Sequence, residues 1–309
     1  MRTAGLLSFV LAAVSGFAGE PAGAPPAAMP ATVAEGAKLE EVYADPKCFF
    51  EGPTWDPKTK KLYFTSFIKK ESQILRLDAP GKASVWLDKS EGVNGTFLSN
   101  DGRLLGAQAF GHRVMSYSFG ESGPGDSKVL YENKDLFQPN DLCQTPNENI
   151  YFTDPDFKEK KASAVYLLKP DGSAVKLDAK MIVPNGLKVS LDGKMLYVGD
   201  SDEKLWKSFP IKDDGTLGDG KIFFNPDSEN KNSPDGMSID AQGNLYFSGR
   251  GGVWCVAPHG KALGLISIPE FCSNCSFGGE DGQTLYMTCS KKVYALKMKI
   301  QGGQFLRKQ

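Results

Sequence analysis

Residues 234–247 read Pro-Asp-Gly-Met-Ser-Ile-Asp-Ala-Gln-Gly-Asn-Leu-Tyr-Phe, and their plan recurs along the chain. Turn residues precede a short apolar or aromatic strand at Lys60-Lys-Leu-Tyr-Phe64, Gly102-Arg-Leu-Leu105, Asn149-Ile-Tyr-Phe152, Lys194-Met-Leu-Tyr-Val198, Gly243-Asn-Leu-Tyr-Phe247 and Gln283-Thr-Leu-Tyr-Met287. With Tyr63, Leu105, Tyr151, Tyr197, Tyr246 and Tyr286 as markers, the spacings are 42, 46, 46, 49 and 40 residues. That period suits a four-stranded propeller blade. Between markers lie more β-rich runs bounded by turn residues, such as Gln73-Ile-Leu-Arg-Leu77 and Lys292-Val-Tyr-Ala-Leu296. Asp-Gly pairs beginning at Asp101, Asp171, Asp192, Asp214 and Asp281 signal hairpin turns. No long stretch has helical periodicity. The expectation is an all-β, six-bladed β-propeller over residues 38–309, closed by strands from the two chain ends, with a metal site in its central channel.

The metal expectation comes from the position 11 or 12 residues before each marker. It holds Glu51, Asn94, Asn140, Asn185, Asp235 and Asn274, all with a side-chain oxygen. Equivalent positions in a propeller lie on a circle about the channel, so side chains at the starts of the innermost strands converge at one mouth. Two carboxylates with several amide carbonyls form an all-oxygen set. Hard cations prefer such ligands, and calcium tolerates six to eight of them in flexible geometry. Magnesium demands a tighter octahedron, and zinc usually recruits His or Cys. Turn formation competes with this reading. It explains Asn94-Gly95 and Asn274 equally well, and it competes at Pro139-Asn140, Pro184-Asn185 and Pro234-Asp235. Glu51 is no turn former, and the shared register favours the metal.

Composition narrows the chemistry. The chain has 309 residues, 36 basic and 37 acidic, for a net charge of −1. It lacks the basic field that nucleic-acid binding needs. Its two histidines, His112 and His259, leave little material for a His-rich zinc site or a His-based triad.

The amino terminus reads as an export signal over residues 1–18. Arg2 is followed by an uncharged stretch from Ala4 to Ala18, with small Gly16 and Ala18 before a cleavage point. The stretch is too short to span a bilayer as a helix. Residues 19–37 hold Pro21, Pro25, Pro26 and Pro30 among alanines and read as a mobile linker. No other segment approaches membrane-spanning length. The expectation is an exported, periplasmic or secreted protein, a monomer or small homo-oligomer. Its six cysteines allow 15 full pairings, and burial in strands with one bridge fits them better than a redox role for Cys272-Ser-Asn-Cys275.

These residues together resemble the senescence marker protein/gluconolactonase/luciferin-regenerating enzyme-like family, which includes regucalcin and is related to diisopropylfluorophosphatase. The resemblance covers about residues 40–305. It is carried by Glu51-Gly-Pro-Thr-Trp55, Pro139-Asn-Asp-Leu142, Tyr151-Phe-Thr-Asp-Pro155, Pro184-Asn-Gly-Leu187, Ser190 to Tyr197, Pro234-Asp-Gly-Met237 and Phe277 to Tyr286. It implies a propeller with a divalent cation, usually calcium, held by Glu51, Asn185 and Asp235, with Asn140 contacting metal or substrate. Other divalent ions such as zinc, magnesium or manganese are alternatives. The implied reaction is hydrolysis of a small-molecule lactone, often an aldonolactone, with Asp235 as the candidate general base. Gln138 stands where some sugar-lactonase members have a substrate-contacting arginine. His112, in Gly111-His112-Arg113-Val114, is a candidate for the mouth or a hydrogen-bonded loop residue. Asp141 and Asp154 are candidates for orienting ligands or for simple turn and strand-end bonds. Two competing readings are a metal-dependent phosphotriester or fluorophosphate hydrolase and a non-catalytic calcium-binding propeller.

Overall fold

The computed structural model describes residues 28–69, 71–226 and 233–306. They form 24 strands in six four-stranded antiparallel sheets, arranged as a six-bladed β-propeller. Strand β1 is Glu40–Ala44. Blade one follows as β2 (Phe49–Asp56), β3 (Lys61–Ile68), β4 (Glu71–Ala79) and β5 (Lys82–Leu87). Blade two is β6 (Val93–Leu98), β7 (Leu104–Gln108), β8 (Arg113–Phe119) and β9 (Pro124–Glu132). Blade three is β10 (Leu142–Gln144), β11 (Ile150–Asp154), β12 (Ala164–Leu168) and β13 (Ala174–Leu177). Blade four is β14 (Pro184–Val189), β15 (Met195–Asp200), β16 (Leu205–Pro210) and β17 (Lys221–Phe224). Blade five is β18 (Met237–Ile239), β19 (Leu245–Gly249), β20 (Gly252–Val256) and β21 (Ala262–Ser267). Blade six is β22 (Cys272–Gly278), β23 (Thr284–Cys289) and β24 (Lys292–Lys297). Its fourth strand is β1, which pairs antiparallel with β24 from Glu40↔Ala295 to Ala44↔Lys292. The two chain ends thus close the ring and remove the open edge there.

Every marker lies on the second strand of its blade, and this explains the recurring pattern. A second strand is covered on both faces by the adjacent blades, so its apolar residues run on rather than alternate. All five residues of β11 and of β19 are buried. The outermost strands face water, and most residues of β9 are exposed. Aromatic rings fill the wedges between blades. Trp206 stacks on Phe247 at 4.9 Å between blades four and five, and Trp55 stacks on Tyr286 at 5.8 Å between blades one and six. Each such ring removed from water contributes roughly 1.5–3 kcal/mol.

The expected signal, residues 1–18, lies outside the described residues, as does the linker up to residue 27. The last ten residues expected as linker are seated on the ring instead. Buried Val33 bridges to Met298. Ala34 N donates to Lys297 O at 3.0 Å, and Leu265 N donates to Ala28 O at 3.1 Å. This segment therefore straps blade six to blade five. Among the described residues, no helix is long and apolar enough to cross a membrane. All six cysteines are buried, and the structure has no disulfide among them.

Candidate active site

Five of the six aligned oxygen donors line one cavity of about 250 Å³ at a mouth of the central channel: Glu51, Asn94, Asn140, Asn185 and Asp235. Gln138 lines it too. Each donor sits at or just before the start of the innermost strand of its blade. In four blades the strand is also irregular there. The register shifts between Glu51 and Thr54, Val93 and Thr96, Pro184 and Leu187, and Cys272 and Asn274. Such bulges turn a side chain out of the ladder's alternation.

Glycine following the donor is a requirement of close approach rather than of a turn. A Cβ on Gly95 falls 1.8 Å from Asp141 Oδ1, and one on Gly236 falls 1.9 Å from Asn274 Cγ. Backbone bonds run through the same contacts, with Gly95 N donating to Asn140 O at 2.7 Å and Gly236 N to Ser273 O at 2.8 Å. The inner strands of blades two and three, and of blades five and six, are thus tied to each other. Hydroxyls two residues beyond the markers pin the backbone of a donor or of the residue that follows it. Thr65 Oγ1 donates to Asn94 O at 2.9 Å, Thr153 Oγ1 accepts from Asp141 N at 3.1 Å, and Ser248 Oγ donates to Gly236 O at 2.7 Å. The same repeat register that revealed the donors contains this set, at marker plus two.

The cup is buried and acidic. Glu51 and Asp235 are 5% and 9% exposed. Burial, then the charge of Asp141, raises the Glu51 carboxyl above its usual range. Burial, then the charges of Glu51 and Asp141, raises that of Asp235. Two amide oxygens of the ring, Asn94 Oδ1 and Asn185 Oδ1, are buried without a hydrogen-bond partner. A buried acceptor left unpaired costs about 1–3 kcal/mol. The Asn185 orientation is fixed, since Nδ2 donates to Ser201 Oγ at 3.1 Å and that hydroxyl donates to Pro234 O at 2.7 Å. Orphaned carbonyl oxygens beside mutually repelling carboxylates are what a hard cation satisfies at once, so the residues fit calcium. Among the described residues no three of His, Cys, Asp and Glu gather as a metal cluster. The candidate set therefore depends on its amides.

Residues 49–291 match the model of the SMP-30/Gluconolactonase/LRE-like region. The chain is 31% identical over 296 residues to the gluconolactonase of Zymomonas mobilis, covering 85% of this chain and 82% of that one. It belongs to the SMP-30/gluconolactonase/LRE-like family. A solved gluconolactonase from Xanthomonas campestris superposes with a TM-score of 0.74 at 28% identity, covering 90% of this chain and 99% of that chain. The calcium-binding regucalcin of Agrobacterium tumefaciens shares the fold, with a TM-score of 0.70 at 20% identity and coverage of 84% and 92%.

Within this SMP-30/gluconolactonase propeller, Asn274 is set apart from the other five aligned residues. Its Oδ1 accepts from Cys275 N at 2.9 Å, and its Nδ2 donates to Glu51 Oε2 at 3.0 Å and to both Asp141 oxygens at 3.2 Å. It orients Glu51 and presents no free oxygen to the cup. Asp141 and Asn274 line a separate cavity of about 50 Å³ together with Lys188. Burial raises the Asp141 carboxyl, and Lys188 opposes that rise. Asp154 buttresses the substrate side. Its carboxylate accepts from Phe137 N at 3.0 Å and Gln138 N at 2.7 Å, and burial pushes it up to about 6. Asp200 does the same one blade on, accepting from Ile182 N and Val183 N at 2.7 and 3.2 Å.

His112 is not among the residues lining the mouth. Its Nδ1 lies 2.7 Å from Leu136 O, and its backbone is left-handed at φ 52. The ring holds the loop, which is the second of the two roles its motif left open. Arg113 beside it turns to Gln108 and to Glu91, 2.8 Å away. His259 is exposed in a turn, as its Pro and Gly neighbours suggest.

Sequence reasoning missed Lys160 and Asp202, which both line the cavity and pair with each other. The run Lys158 to Lys161 reads as a solvated loop. However, buried Asp156 accepts the backbone N–H groups of Lys158, Glu159 and Lys161 at 2.9–3.3 Å and folds the loop into place. It also missed the phenylalanines around the cavity. Phe49 and Phe67 do stand at repeat positions, two before the donor and four after the marker, but other blades carry Gln138, Val183, Ser233, Ala109 or Ser201 there, so no shared residue type flags them.

Proposed function

We propose that this chain is a divalent-cation-dependent lactonase that uses calcium. The orphaned Asn185 Oδ1 beside buried Glu51 and Asp235, at the floor of a cavity of substrate size, carries this reading. Relatives that bear lactonase names agree with it, among them the pentonolactonase of Haloferax volcanii, 24% identical over 243 residues.

Glu51, Asn185, Asp235 and Asn140 hold the cation, and Asn94 Oδ1 faces the same need for a partner. A calcium ion bound there supplies Lewis acidity for a lactone carbonyl and for water. The residues do the rest. Glu51, held through one oxygen by Asn274, supplies negative charge while its other oxygen stays available. Asn140 and Asn185 add carbonyl dipoles without charge. Asp235 takes the proton of the attacking water as its oxygen bonds to the carbonyl carbon. The ring C–O bond then breaks, and the same proton passes from Asp235 to the departing ring oxygen. The products are one hydroxy acid and a restored base. Gln138, fixed through its backbone by Asp154, offers an amide to a polar group of the substrate.

The signal-like stretch from Ala4 to Ala18 supports action in the periplasm or outside the cell. A pH-indicator assay tests the reaction class over γ- and δ-lactones, aldonolactones and phosphotriesters. Acid release from lactones alone is expected. Release from phosphotriesters alone overturns the lactonase reading, and calcium binding without any turnover leaves a binding propeller.

A further inference from the structure

The cavity above the cup has two unlike sides. Five phenylalanines line it: Phe271 just before β22, Phe49 and Phe67 in blade one, Phe110 after β7 and Phe157 after β11. They form an apolar arc over blades six, one and two that ends on blade three. Ser201, Asp202 and Ser233 line the side of blades four and five together with the smaller apolar Val183 and Pro234, and among the described residues no aromatic ring lines that side. The arc is built into the fold. Phe67 and Phe110 pack edge to face at 6.4 Å. Gly92, left-handed at φ +78, makes room for the Phe110 ring, since a Cβ there falls 2.6 Å from it. Backbone bonds from Ala109 N to Gly92 O at 2.9 Å and from Phe110 N to Glu91 O at 3.0 Å lock that corner.

Phenylalanine offers no hydrogen bond. A hydroxyl pressed against it loses water and gains no partner, which is unfavourable. An alkyl or aryl group there gains its full burial. The cation of the lining, Lys160, is already paired with Asp202, and Gln138 brings a neutral amide. From this we infer that the preferred substrate is an uncharged lactone carrying an apolar arm, alkyl or aryl, on its ring. The ring sits over the cup and the arm lies along the phenylalanine arc. This rests on the lactonase reading and names its substrate class.

The test is a kcat/KM series on the full chain with calcium present: γ-butyrolactone, γ-hexanolactone, γ-octanolactone, dihydrocoumarin and glucono-δ-lactone. Burial of each methylene predicts a gain of about fourfold per CH₂ until the cavity is filled. The octanolactone and dihydrocoumarin should exceed glucono-δ-lactone by at least about tenfold. In Phe110→Ala and Phe271→Ala, the ratio of octanolactone to butyrolactone kcat/KM should drop by about tenfold. A variant that does not fold leaves the other variant and the wild-type series to decide. Turnover of glucono-δ-lactone with a flat alkyl series overturns this inference and leaves the lactonase reading intact. No turnover of any lactone overturns both.

Discussion

The amide of Asn274 stands between two buried carboxylates: its Nδ2 lies 3.0 Å from Glu51 Oε2 and 3.2 Å from each oxygen of Asp141. One donor group thus restrains two like charges and fixes which Glu51 oxygen is left for a cation. Replacing it with alanine removes the shared donor while both acids stay buried. Asn274→Ala is expected to destabilise the chelated protein by about 1–3 kcal/mol and to weaken calcium binding. Asn274→Asp, which adds a third negative group beside these two, should lower the stability of the chelated protein further. Denaturant unfolding and calcorimetric titration read these; an unaltered calcium affinity in Asn274→Ala contradicts the role.

Acidity and calcium should compete at the cup. In the metal-free fold, burial and mutual repulsion raise Glu51 above its ordinary 4.5 and Asp235 above its ordinary 3.8. The unfolded chain releases those protons near the ordinary values. As pH rises from about 5 toward 8, the folded state therefore holds protons that the unfolded state has lost, and metal-free stability falls. A bound cation takes the protons' place. The rise in Tm on adding calcium is expected to grow from pH 5 to pH 8. An increment that stays constant or shrinks over that range argues against these two acids as ligands.

Gly236 has no room for a side chain, because a Cβ falls 1.9–2.3 Å from the Asn274 amide atoms. Gly236→Ala should cost about 1–3 kcal/mol or more through overpacking and should displace Asn274 from Glu51. Thermal unfolding together with calcium titration checks this. Wild-type values for both would mean that the inner strands are not in the contact described.

Asp154 acts through the backbone of the loop that carries Gln138. Asp154→Ala removes two charge-assisted bonds, each worth about 1.5–3 kcal/mol. It should raise KM for lactones more than it lowers kcat, and Asp154→Asn should restore part of the loss. Because the carboxyl is pushed up to about 6, KM in the wild type should also climb as pH drops below that point. A pure kcat defect in Asp154→Ala would contradict a positioning role.

The propeller and the cup were legible in the sequence for one reason. Both repeat with the blade, so weak local signals at Glu51, Asn140, Asn185 and Asp235 reinforced one another in register. The register also set a limit. It grouped Asn274 with the other donors, although its amide is turned to Glu51 and Asp141, which only cross-blade distances reveal. His112 sat in a suggestive motif, yet its ring closes on Leu136 O. Lys160 and Phe157 lie on the loop after β11 and Phe110 and Phe271 lie beside strand ends, while Phe49 and Phe67 are strand residues at positions where no other blade has a phenylalanine. The approach of Lys160 and Phe157 to the cavity depends on the hydrogen bonds to Asp156 and has no periodic signature.

The most direct measurement is lactone hydrolysis by the purified protein after chelation and calcium add-back, run beside Asp235→Asn. The account predicts that chelator reduces the rate to background, that calcium restores it, and that Asp235→Asn stays at background in saturating calcium. A full rate in chelator, or turnover by Asp235→Asn with calcium bound, would contradict it.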